Sequence, residues 1–81
     1  STLTVTRKDV TGMAFSAELK LAKETDAELL VYDTSGRLLS RTDMAGGTIK
    51  RADFTVPQTG VYVVKALTLE EEFTRKIMAN Y

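Results

Sequence analysis

The sequence predicts a small all-β sandwich, and three observations support this. Apolar and polar residues alternate with a period of two in several short segments, most clearly over residues 13–21, which is the pattern of strands with one buried face. Turn-forming residues separate these segments at regular spacing. The chain has 81 residues, of which 43% are hydrophobic and 27% charged, as in a single globular domain. We therefore expect residues 1–81 to form one domain.

The strands can be placed from the amino terminus onward. Leu3 and Val5 alternate with threonines, residues 13–21 have apolar odd positions, and residues 52–56 alternate again. Residues 27–32 and 61–67 are denser in apolar side chains, which favours central strands covered on both faces. Turns are expected at residues 9–12, 46–47 and 57–60, which contain glycine or proline. This gives six or seven short strands.

The segment Asp33-Thr34-Ser35-Gly36 lies between two apolar segments. An aspartate followed by a glycine three residues later is typical of a type I turn closed by a glycine bulge. We expect a hairpin here, with Asp33 capping its own turn and Gly36 in the left-handed region.

Two segments also carry a helical pattern. Leu69, Phe73 and Ile77 are four residues apart, so a helix over residues 69–79 stays an alternative on local grounds. The strand interpretation, which we favour, places Phe73, Arg75, Ile77 and Ala79 on one face and would cover an edge of the sheet. Residues 19–30 are similarly ambiguous, but the turn-like residues 24–26 favour two strands.

The alternation also assigns a core. The residues expected to be buried are Leu3, Val5, Met13, Phe15, Leu19, Leu29, Val31, Leu39, Phe54, Val56, Val61, Val63 and Ile77.

The balance of charged residues and the absence of two reactive residue types argue against catalysis and metal binding. Eleven basic residues balance eleven acidic ones, so no overall field attracts nucleic acid or an anionic membrane. The chain has no histidine and no cysteine, which removes Ser-His-Asp triads and thiolate metal sites. We expect no enzyme, no cofactor, no metal and no direct membrane span. Five basic residues alternate with apolar ones and are expected on solvated faces: Lys50, Arg51, Lys65, Arg75 and Lys76.

Three blocks of the second half resemble the type IX secretion system C-terminal sorting domain (type A) of Bacteroidetes. They are ELLVYDTSGRLL at residues 28–39, GVYVVKA at residues 60–66 and FTRKI at residues 73–77. The resemblance covers residues 27–81 well and residues 1–26 only as a strand pattern. The chain departs from the family in lacking its tyrosine-proline-asparagine-proline segment and in ending on asparagine-tyrosine.

The resemblance implies an immunoglobulin-like antiparallel sandwich of about seven strands, placed after the cargo domain of a larger exported protein. The implied partners are the outer-membrane secretion translocon, shuttle proteins and a sortase-like peptidase. The implied route runs through the periplasm to the outer membrane, the cell surface or the medium. The alternative is a structural immunoglobulin-like accessory module packed beside an enzyme or adhesin domain.

Recognition is expected on the final strand and its neighbours, because an edge strand offers unpaired backbone groups. Arg75 and Lys76 are the expected polar contacts. The full set of expected recognition residues is Asp33, Gly36, Arg37, Gly60, Tyr62, Lys65, Arg75, Lys76 and Ile77.

Overall fold

A computed structural model describes residues 1–80 of the chain. These residues form eight strands and no helix, so the all-β prediction is confirmed. The strands are β1 (Thr2–Arg7), β2 (Ala14–Lys20), β3 (Glu28–Asp33), β4 (Leu38–Asp43), β5 (Ala45–Gly46), β6 (Ile49–Thr55), β7 (Gly60–Leu67) and β8 (Glu72–Ala79). The two-residue strand β5 makes the count one larger than the expected seven. No helix able to cross a membrane occurs in this part of the chain.

The strands form two antiparallel sheets that pack face to face. The first sheet has the order β1-β2-β6-β5 and the second the order β4-β3-β7-β8. One core cluster joins them, with Leu3 and Phe15 from the first sheet and Val31 and Val64 from the second. This confirms the sandwich. Its immunoglobulin-like classification stays a prediction.

The final segment is a strand, so the helical alternative for residues 69–79 is wrong. Strand β8 pairs with β7 over its whole length, from Glu72 opposite Leu67 to Ala79 opposite Gly60. Its burial alternates as expected, because Phe73 and Ile77 pack against the core while Lys76 and Met78 are exposed. The hydrogen bonds of the β7–β8 ladder outweigh the local helical spacing.

Most of the predicted core is confirmed, but two residues of β7 are not part of it. The inward face of β7 carries Tyr62, Val64 and Ala66, whereas Val61 and Val63 are half-buried on the other face. The run of apolar residues in β7 has no alternation, so the sequence could not tell its two faces apart. Val5, Met13, Leu39 and Ile77 are partly buried against the core, and the other predicted core residues are buried.

The two central strands of the second sheet differ in how far their outer face is covered. In β3, Leu29, Leu30 and Val31 are all at most 3% exposed. Leu30 points away from the core and lies between Arg41 on β4 and Lys65 on β7, and these long side chains flank it. The outer face of β3 is therefore fully covered only at Leu30, and the outer face of β7 is covered only in part.

Lys50 was expected on a solvated face, and that expectation is wrong. It occupies an inward position of β6, is only 5% exposed, and continues the buried positions Ala52 and Phe54. Its Nζ donates a hydrogen bond of 2.8 Å to the carbonyl oxygen of Gly46. The aliphatic stem fills the inward position while the ammonium group reaches a backbone acceptor.

Candidate recognition surface

The outer face of the second sheet brings together residues that are far apart in the sequence. Strand β7 lies between β3 and β8, and Val63 is opposite Tyr32 on one side and Lys76 on the other. Lys65 is likewise opposite Leu30 and Thr74. Directly opposite residues of antiparallel strands share a face, so these side chains form one continuous surface that points away from the core.

A shallow depression lies on this surface beside the β3–β4 turn, and we call it the outer pocket. Four of its residues, Asp33, Gly36, Lys65 and Lys76, are in the set expected from the sequence. The complete lining is Tyr32, Asp33, Thr34, Gly36, Val63, Lys65 and Lys76. The end of β3 with its turn, β7 and β8 all contribute, and these are the three segments that carry the sequence motifs.

The β3–β4 turn is built around the carboxylate of Asp33. Its Oδ1 accepts hydrogen bonds from the backbone N–H of Ser35 at 3.0 Å, the hydroxyl of Ser35 at 2.6 Å and the backbone N–H of Arg37 at 3.0 Å. Its carbonyl oxygen accepts the N–H of Gly36 at 3.1 Å. Gly36 has φ of 89°, and the β3–β4 register shifts after Val31. The predicted bulged turn and the left-handed Gly36 are confirmed.

These hydrogen bonds also fix the charge of the turn. The hydroxyl of Ser35 is the largest influence that lowers the pKa of Asp33 below 3.8, followed by the backbone N–H of Arg37. The Arg37 guanidinium adds an ion pair, with 3.2 Å between its Nε and Oδ2 of Asp33. Asp33 is therefore ionised at neutral pH and is engaged within its own turn, so Asp33, Gly36 and Arg37 act as a scaffold.

The two lysines give the outer pocket a positive charge. The Nζ of Lys65 lies 5.6 Å from the centre of the Tyr32 ring, a cation–π distance, and 3.7 Å from an oxygen of Glu72. Lys76 is exposed and forms no ion pair with any of residues 1–80. The pocket therefore presents one lysine that stacks on an aromatic ring and one that is free among the described residues.

The other expected residues lie outside the pocket. Arg75 is exposed and sits opposite Val64, on the inward-pointing side of β8, and its guanidinium donates to the Thr74 carbonyl at 3.0 Å. Ile77 is half-buried against the core, and Gly60 is the first residue of β7. Gly60 and Ile77 are thus placed to support β7 and β8. Arg75 is exposed on the face of β8 opposite to the outer pocket.

Tyr62 has a structural position. It is 4% exposed, and its hydroxyl donates a hydrogen bond of 2.7 Å to the carbonyl oxygen of Gln58. A tyrosine that bonds to the backbone a few residues upstream is the tyrosine corner of β-sandwich domains. Tyr62 thus holds the connection between β6 and β7, and it lies on the core side of the sheet, opposite to the candidate recognition surface.

Sequence reasoning missed Tyr32, Thr34 and Val63 as pocket residues. Tyr32 and Thr34 flank Asp33 within the turn block, so their proximity to the turn was readable. Val63 was assigned to the core. The strand register, which places Val63 between Tyr32 and Lys76, shows that its side chain lies on the outer face of the sheet.

A second depression lies at the opposite end of the sandwich and contains none of the expected residues. Its lining includes Asp26, Glu28 and Asp43. Within residues 1–80, no group of three or more acidic side chains is arranged to hold a metal ion.

Comparison with known families places the chain beside a described family. Residues 11–80 match the family described as the secretion system C-terminal sorting domain. Searches of the curated proteins and of the solved structures give no match.

Proposed function

The chain belongs to the family of secretion system C-terminal sorting domains, the sorting signals of type IX secretion, and on this premise we propose that it directs a larger cargo protein across the outer membrane to the cell surface. The family is not an enzyme family. The cargo performs whatever chemistry the whole protein has, and this domain addresses it. Residues 1–81 form one sorting domain that follows the cargo domain.

The convergence of three sequence blocks on one surface carries this proposal. The turn after β3, the middle of β7 and the middle of β8 all line the outer pocket. The hydrophobic core alone does not require Lys65 and Lys76 to meet beside the turn, since both lysines point away from it. A surface built from the segments that characterise the family is the natural surface for the family's receptor.

Strand β8 is the part of this surface that a receptor reaches first. Within residues 1–80 it is an edge strand that pairs only with β7, so its other backbone edge has no strand partner in this part of the second sheet. Strand β1 lies beside it in the first sheet, and Arg7 donates a hydrogen bond of 2.9 Å to the side-chain oxygen of Asn80. Exposed Arg75 and Lys76 project from opposite faces of β8 and are the proposed polar contacts.

The resemblance supplies the proposed partners and route. The outer-membrane translocon and its shuttle proteins receive the domain in the periplasm. A sortase-like peptidase then acts at the outer membrane while the cargo is attached to the cell surface or secreted.

A reporter fusion tests this function. The chain is fused to the carboxy terminus of a reporter in a bacterium with type IX secretion, and surface reporter is measured with and without residues 73–81. We expect surface display only for the intact fusion. If both fusions remain inside the cell while the domain is folded, or both are displayed equally, the sorting function is contradicted and the accessory-module alternative takes its place.

A further inference from the structure

The lining of the outer pocket has a net positive charge on the face that a partner would meet. Lys65 is opposite Thr74, and Lys76 is two residues further along β8, so the two lysines are diagonal neighbours, about 7–8 Å apart at Cα. Asp33 is the one acidic residue of the lining, and its carboxylate is engaged by Ser35 and Arg37. A carboxylate placed between the two ammonium groups would neutralise the pocket.

The present neighbour of Lys65 does not prevent this. The Lys65–Glu72 distance is 3.7 Å and both side chains are substantially exposed, and exposed pairs of this kind contribute little. The ion pair with Glu72 therefore leaves the Lys65 ammonium group accessible to an incoming carboxylate.

The apolar residues of the pocket narrow the class of ligand. Val63 and Tyr32 are half-buried in the lining, and Leu30, next to Tyr32 on the same face, is only 3% exposed. The depression is shallow and open, unlike the enclosed sites that bind small molecules. A polypeptide segment with apolar or aromatic residues beside its acidic residue fits both features.

We propose that the outer pocket binds an acidic side chain from an apolar segment of the partner that reads this sorting domain, with the carboxylate between Lys65 and Lys76 and the flanking side chain on Tyr32 and Val63. The proposal rests on the proposed sorting function and adds the chemistry of the partner. It also separates two adjacent basic residues, because Lys76 lines the pocket whereas Arg75 projects from the opposite face of β8.

Short synthetic peptides test the proposal on the isotope-labelled chain by NMR titration. The probe contains a central glutamate flanked by valine and tyrosine, and its matched counterparts carry glutamine or lysine instead. We expect the glutamate peptide to shift the amides of residues 32–36, 63–65 and 76. Lys65→Glu and Lys76→Glu should each weaken its binding about ten-fold. Lys20→Glu should leave binding within a factor of about two, since Lys20 is exposed on β2 of the first sheet.

Glu72→Gln should change the affinity for the peptide in the opposite direction. Removal of the competing carboxylate should strengthen binding of the glutamate peptide, whereas a merely structural role of β8 would not produce a gain. Equal binding of the glutamate and glutamine peptides, an equal loss in Lys20→Glu and Lys76→Glu, or shifts caused by inorganic phosphate but by none of the peptides would each overturn the proposal.

Export separates this inference from the sorting function on which it rests. If deletion of residues 73–81 abolishes surface display while a folded Lys65→Glu/Lys76→Glu fusion is displayed normally, the sorting function stands and the acidic partner is wrong. If the deletion itself leaves display unchanged, the sorting function is wrong whatever the peptides do.

Discussion

A methyl group added to Gly12 would overlap the backbone carbonyl oxygen of Asn80. Gly12 belongs to the turn between β1 and β2, and Asn80 directly follows β8. The contact between them therefore joins the two sheets at the end of β8. Gly12 is buried and has φ of 75°, a conformation that is costly for other residues. Glycine is therefore required at this position for two independent reasons.

Gly12→Ala should destabilise the domain by about 2 kcal/mol or more, because backbone strain adds to the displacement of Asn80. Gly36→Ala is the matched control. Gly36 also has positive φ, but an added methyl group meets nothing within 4 Å, so its cost should be limited to about 1 kcal/mol. Urea denaturation of both variants measures the difference, and equal losses would show that Gly12 and Asn80 are not in contact.

The aromatic pair in the core should dominate stability. Phe15 and Phe54 are directly opposite each other on β2 and β6, and their rings stack with centroids 5.4 Å apart. Replacement of either by alanine should cost about 3–5 kcal/mol, and the double variant should lose less than the sum because the two rings contact each other. Thermal denaturation checks this, and single losses below about 1 kcal/mol would place the rings outside the core.

The Tyr62 hydroxyl should contribute to stability through a single hydrogen bond. Tyr62→Phe removes the bond to the Gln58 carbonyl and should cost about 1 kcal/mol. Tyr32→Phe is the control, since the Tyr32 hydroxyl forms no hydrogen bond within residues 1–80. An equal effect of the two substitutions in chemical denaturation would rule out the corner as a specific support of β7.

Acid should weaken the β3–β4 turn. The pKa of Asp33 is lowered in the folded chain, mainly by the Ser35 hydroxyl, so its stabilising contribution is complete above the unfolded pKa of about 3.9 and is lost as the pH falls through the folded value. Asp53, whose pKa is lowered mainly by the Lys8 ammonium, acts in the same direction. Asp33→Asn should therefore be less stable than the parent at neutral pH, and the difference should shrink below about pH 4. A difference that stays constant down to the acid limit would contradict the Asp33 network.

Local sequence patterns predicted the parts of the fold that depend on contacts between neighbouring residues of the chain. The Asp33–Gly36 turn was readable because its hydrogen bonds lie within five consecutive residues, and β2 was readable because its apolar residues alternate. The inward face of β7 was not readable, since Val61, Tyr62, Val63 and Val64 are all apolar. The two sheet orders and the Tyr62 corner are features found in immunoglobulin-like domains, and they agree with that prediction.

The composition of the outer pocket depends on register, which local pattern does not encode. Lys65 and Lys76 were expected near the recognition surface, but their place beside Tyr32 follows from which residues of β3, β7 and β8 lie opposite one another. Lys50 is a second residue whose position could not be predicted from local pattern. Its charge suggested solvent, but the acceptor that permits its burial, the Gly46 carbonyl, belongs to β5, the short strand that pairs with β6.

A reporter fusion that carries Arg75→Glu and Lys76→Glu tests the sorting function most directly. The measured quantity is the amount of reporter displayed on the surface of type IX-competent cells. Lys20→Glu with Lys23→Glu is the matched control, because it changes the net charge equally at exposed positions of the first sheet and the loop that follows it. Circular dichroism confirms that each purified domain remains folded. We expect the Arg75/Lys76 variant to stay inside the cell while the control is displayed like the parent. Normal display of the folded Arg75/Lys76 variant would contradict recognition through β8.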